Sequence, residues 1–189
     1  GQDSAEAGDF TIVGDPSHYS FKDDTLTITG GDLTVGNTNP QTASNQRIII
    51  KAGESVDPLH ITIENLNIDN YDTNGYSALS VKGGEVHLTL KGVNTLKGGS
   101  GKAALGLEER ASIVIDAATA DSKLTAHARY DGAGIGTHTG FGNKQYAGRI
   151  TINGGVIDAY TQQGGAAIGS GSFSECAGVT ISGGNINAK

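Results

Sequence analysis

The sequence predicts an all-β fold: a right-handed, single-stranded parallel β-helix, a solenoid of about six three-strand coils. Three observations predict it. One phrase is written twice, as GAGIG at 132–136 followed by RITINGGVIDAY at 149–160, and as GAAIG at 165–169 followed by VTISGGNINA at 179–188. Related phrases run back along the chain, so that Ile168, Ile135, Leu105, Leu79 and Ile49 share one register at spacings of 33, 30, 26 and 30 residues. No stretch carries apolar residues at helical spacing over three turns, while 30 glycines punctuate short β-branched runs.

Taken in order, residues 1–9 are small and polar and read as a flexible N-terminal tail, with one β-helix domain over residues 10–189 beginning at Phe10. A second register is set by TITGG at 27–31, TINGG at 151–155 and TISGG at 180–184, with VHLTLKG and SIVIDA as the middle copies. A third short run follows each, as in LNID, VNTL, KLTA, VIDA and NINA. Three strands per repeat without helix describe a coil that gives one strand to each of three parallel sheets. Side chains alternate, so Ile150, Ile152, Val179 and Ile181 belong to interior ladders and Thr151 and Thr180 face out. Paired glycines suit the corners, where φ turns positive. Right-handedness follows from the crossover rule for parallel strands. An antiparallel sandwich has similar short strands but does not need one phrase repeated in one register.

Composition narrows the function classes. A net charge of −7 and a pI near 5.1 argue against nucleic acid, which demands basic stripes. No apolar run approaches the ~20 residues of a membrane span, so this segment is not expected to insert. The chain has no Met and starts with Gly, which reads as an excised piece of a longer product, with a leader or anchor removed and neighbouring domains possible. The pattern stops at NINAK, so a partner or further chain is expected to cap the last coil. Cys176 is the single cysteine, which excludes an internal disulfide and reads as a small apolar residue.

The phrases AALGL, GAGIG, RITINGGVIDAY, GAAIG and VTISGGNINA, preceded by LSVKGGEVHLTLKGVNTLKGG, resemble the repeats of β-helical, carbohydrate-binding domain-containing proteins of bacterial surfaces. Those are related in architecture to pectate-lyase-like β-helices. The resemblance spans about residues 47–189 and is weak over residues 10–46. It implies an extracellular or cell-surface location by secretion or lipid anchoring, a polysaccharide or glycan partner, and a binding or adhesive role. The matching residues are coil-forming, so the resemblance transfers no catalytic residue.

Asp69, Asn70, Asp72 and Asn74, followed by Gly75, have the alternating oxygen donors of a calcium loop, but Val81 stands where the distal bidentate Glu belongs. A looser Ca²⁺ site, or an Asx-rich turn, are the two readings. Polysaccharide elimination would draw on Lys123, Arg129 or Arg149 with Asp116, Asp131 and Asp158. Hydrolysis would need a carboxylate pair such as Asp116 and Asp158 stacked on neighbouring coils. His18, His60, His87, His127 and His138 show no HxH or HExxH spacing and read as surface or loop residues. The longest insertion, residues 137–148, carries Phe141, Asn143, Lys144 and Tyr146, and with Tyr130 and Tyr160 it offers flat faces and hydrogen-bonding groups for sugar rings. The function expected is a non-catalytic glycan-binding or adhesive module. The alternatives are a polysaccharide lyase or glycoside hydrolase, and a structural spacer of a larger surface protein.

Overall fold

Period-2 alternation builds every coil. In the computed structural model, which describes residues 3–73 and 75–189, Glu85–Lys91 and Lys123–Ala128 bury every second side chain. A strand so patterned hides one side only, and stacking its equivalents from successive coils makes that hidden side continuous. The outcome is a parallel β-solenoid of about five turns with three sheets. The first sheet stacks Leu33–Asn37, Leu59–Glu64, Glu85–Lys91, Ser112–Ala117, Tyr146–Ile152 and Glu175–Ile181. The second stacks Thr25–Ile28, Arg47–Ile50, Leu79–Lys82, Leu105–Glu108, Ile135–Gly136 and Ile168–Gly169. The third holds Asn67–Asp69, Val93–Gly98, Lys123–Ala128, Val156–Thr161 and Asn185–Ala188. Five coils therefore have all three sides, while the first has only a bridge from Ser44 to Ile68 on its third. Leu79, Leu105, Ile135 and Ile168 are register partners in sequence order, and Thr151 faces outward between buried Ile150 and Ile152.

Three expectations need correction. Leu79 pairs with Ile48 rather than Ile49; three consecutive isoleucines hide the phase of a period-2 strand, and Ile48 and Ile50 are the buried ones. The TITGG copy belongs to the second sheet, whereas TINGG and TISGG follow first-sheet strands, so it is no true member of that register. The expected tail contributes a strand, Ser4–Ala7, antiparallel to Phe10–Val13, which is itself antiparallel to Leu33–Asn37. Ladder hydrogen bonds need no apolar side chain, and a two-residue turn with Gly8 at φ 56° reverses the chain, so polar composition concealed the strand. With the hairpin of Tyr19–Lys22 and Thr25–Ile28, this antiparallel segment lays Phe10 and Ile12 over the first coil and explains why residues 10–46 match the repeat poorly. As expected, Val179 and Ile181 stack in register on Ile150 and Ile152.

Inside the rod, Ile, Leu and Val ladders leave the corner carbonyls and amides to be satisfied by side chains. Asn94 does this for three coils at once. Fully buried, it accepts from the Leu66 N–H through Oδ1 at 2.9 Å and donates Nδ2 to the carbonyls of Lys91 (3.1 Å) and Lys123 (3.2 Å). Asn94→Ala strands the Leu66 N–H in the interior and is expected to cost about 2–3 kcal/mol, read as a lowered urea midpoint. An unchanged midpoint would mean that a water replaces the amide.

Candidate functional site

The outward side of the second sheet is where charge and open space meet. Within Leu79–Lys82 and Leu105–Glu108 the leucines and valine point inward, so Ser80, Lys82, Gly106 and Glu108 point outward, with Lys82 beside Glu108 and Ser80 beside Gly106. Gly106 leaves a gap that the His138 imidazole fills. A Cβ there would come within 2.5 Å of His138 Cε1 and 3.2 Å of Ser80 Oγ.

His138 is only 5% exposed, which corrects its reading as a surface histidine. Its segment is stitched to the coils on both sides. Thr137 N–H donates to the Gly169 carbonyl, Thr139 N–H to that of Gly101 and Gly140 N–H to that of Ser172. Ala103 N–H donates to His138 Nδ1 at 3.0 Å, which leaves the ring proton on Nε2, 3.6 Å from Glu108 Oε1. Burial pushes the Glu108 carboxyl up, but contact with the His138 N–H and the positive charges of Lys82 and Lys102 outweigh it, and the group sits below its ordinary range. Ser80 lies beside this pair without forming a nucleophilic triad. Such a relay needs one ring nitrogen for the acid and one for the serine, and here Nδ1 is already occupied by a backbone amide.

Two hollows border His138. A hollow of about 180 Å³ is lined by Arg47, Tyr76, Ser80, Lys82, Lys102 and Glu108, and one of about 580 Å³ by Lys102, Glu108, Glu109, Phe141, Asn143 and Gln145. The Arg47 guanidinium carbon lies over the Tyr76 ring, 3.8 Å from its centroid. Phe141 is 82% exposed and packs against Phe173, itself 73% exposed, with ring centroids 6.3 Å apart. Phe173 is held at φ 58°, an uncommon conformation for an aromatic residue.

Of the sequence-predicted ligand residues, Phe141 and Asn143 line this cleft. Lys144 and Tyr146 stand at its flank, Lys144 ion-paired with Glu175 and Tyr146 beneath the Arg110 guanidinium at 4.5 Å. Tyr130 and Tyr160 are not brought in. Tyr160 packs edge-on against His127 in the third sheet, and Tyr130 sits at the following corner with Arg129 and Gln162. Of the expected calcium loop, Asp69 and Asp72 line one hollow with Asp9. Asn70 points inward and donates to the carbonyls of Gln46 and Ser77, Asp69 accepts from the Tyr71 N–H, and Asp72 lies 3.5 Å from Arg129. Asn74 falls outside the described residues. Among the described residues no three His, Cys, Asp or Glu side chains are grouped to hold a metal ion. The residues considered for elimination or hydrolysis are dispersed: Asp116 and Arg149 on the first sheet, Lys123 and Asp158 on the third, Arg129 and Asp131 at corners. Asp116 and Asp158 therefore do not stack, because they belong to different sheets.

A family model for a beta helix repeat matches residues 150–172, one turn from the first sheet through the third to the second. Comparison with curated proteins and with solved structures gives no significant match. The repeat and the stacked sheets together define the class of this molecule, a parallel β-helix protein.

Proposed function

We propose that this β-helix is a non-catalytic glycan-binding module of an extracellular or bacterial cell-surface protein, and that the cleft around His138 receives the sugar. The observation that carries the reading is the cleft's composition. An exposed phenylalanine ring, Phe141, stands beside a fixed carboxylate, a lysine and two amides, Glu108, Lys102, Asn143 and Gln145. Pyranose rings offer an apolar C–H face to an aromatic ring and hydroxyls to paired donors and acceptors, and this set answers both. Glu108 supports binding over hydrolysis. A general acid needs its carboxyl raised so that it carries a proton at neutral pH, whereas here it is held ionised and suited to accept hydroxyl hydrogen bonds. The rigid coils support the loop, and the resemblance of the repeats to those of carbohydrate-binding surface proteins agrees with the assignment.

Screening the chain on a glycan array, with reducing ends and unsaturated products assayed in parallel, tests the reading. Retention of glycans without product release is expected. Phe141→Ala, at an exposed position, is expected to weaken binding about tenfold, the equivalent of ~1.4 kcal/mol, at unchanged thermal stability. Absence of any retained glycan, or product release abolished by changing Glu108, would overturn it.

A further inference from the structure

We propose that the cleft recognises an acidic polysaccharide, with the hollow between Arg47, Lys82 and Lys102 seating the carboxylate or sulfate of one sugar unit. The inference rests on the glycan-binding reading above and adds the chemical class of the ligand. Its first support is charge inversion. The chain carries 20 acidic against 13 basic residues, yet the smaller hollow gathers three cations and a single carboxylate, Glu108. Its second support is that these cations form no close ion pair, although the charges of Lys82 and Lys102 act on Glu108. Among the described residues, Arg47, Lys82 and Lys102 belong to none of the ion pairs, as is true of most lysines and arginines of the chain, but these three line one hollow. A lysine without a partner gains from an anion that displaces its water, and cations converging on a concavity focus that attraction. Third, the Arg47 guanidinium is already oriented by stacking on Tyr76, so its planar donors are presented without the entropy loss of a free side chain.

The arrangement also sets a limit. Glu108 lies within the same hollow and the rest of the chain is acidic, so densely charged polyanions are repelled while one anionic group per sugar unit is accommodated. Glu108 then accepts from a neighbouring hydroxyl, and the Phe141–Phe173 pair meets the next ring along the chain.

The test uses matched polymers that differ in charge alone. Polygalacturonate is compared with its methyl ester, and a sulfated galactan with its unsulfated counterpart, by affinity electrophoresis and calorimetry on the whole chain. At least tenfold tighter binding of the charged member is expected in one pair, and which pair responds separates carboxylate from sulfate. Binding should weaken as salt rises. Lys82→Gln and Lys102→Gln should each weaken binding of the charged polymer about five- to tenfold, with Lys123→Gln on the third sheet as the unaffected control, and circular dichroism reports the fold of each. Equal binding of charged and uncharged members would sink the acidic-ligand inference and leave the glycan reading standing. Charge preference that survives both lysine changes would also sink it, since recognition would then lie elsewhere. Binding of no polymer in either pair, together with an empty glycan array, would remove the glycan reading itself.

Discussion

Gly136→Ala is expected to unfold the last coils, with a cost above about 4 kcal/mol and a fall in melting temperature of roughly 10–15 °C. Gly136 sits at φ 144° beside Gly169 in the adjacent strand, and a Cβ there would lie 1.7 Å from the Gly169 carbonyl oxygen. No side-chain rotation relieves a clash between a Cβ and a backbone atom, so the strands must part. Parting them breaks the bond from Thr137 N–H to that carbonyl, and with it the seat of the neighbouring His138. Because each coil of a solenoid is held mainly by its neighbours, the loss should stay local. Amides of residues 135–188 should exchange faster while those of Leu59–Glu64 keep their protection. Gly142→Ala is the contrasting case. Gly142 also has a positive φ, 81°, but nothing lies within 4 Å of its Cβ position, so only the left-handed backbone penalty of about 1 kcal/mol remains. Equal losses at the two glycines would show that the strand contact is not what Gly136 provides.

That contrast shows what the sequence could and could not tell. The glycines of GAGIG and GAAIG read as coil-forming, and they are: the phrase recurs because close strand contact recurs. Repetition made the sheets and most of the register legible, since each coil buries its apolar side only against its neighbours. Where repetition failed, so did the reading. Ile48–Ile50 gave no phase, and the polar strand Ser4–Ala7 had no apolar signal to show.

The cleft was hidden for a related reason. Treating SALS and AALG as scaffold phrases drew attention to their inward leucines, but the next outward positions along the same strands are Lys82 and Glu108. Period-2 alternation alone would have placed those two side by side, and they were the recoverable signal. His138 was not recoverable, because its seat depends on Gly106 lying one coil away and on a loop whose path no periodicity encodes. Aromatic content pointed instead to Tyr130 and Tyr160, which the corner geometry turns to another side of the rod.

His138→Ala is expected to be the most damaging change within the cleft, at about 3 kcal/mol near neutral pH. Two costs combine. Ala103 N–H loses its acceptor in a buried position, and Glu108 loses the group that faces its carboxylate. The second cost has a pH signature. Glu108 lies below its ordinary value of 4.5 in the folded chain, so the stability it contributes is fully present above that value and is lost as pH falls through the lower, folded one. Wild-type stability should therefore decline below about pH 4.5, and Glu108→Gln should flatten part of that decline while losing about 1–2 kcal/mol at pH 7. Urea titrations of both variants and of the double variant, from pH 7 downward, separate the terms. Coupling between the two positions is expected at pH 7 and should shrink as pH falls through the folded-state value of Glu108, where its carboxylate is discharged. Strict additivity at pH 7 would mean that His138 holds the loop through Ala103 alone, and that the ionised Glu108 owes its state to Lys82 and Lys102.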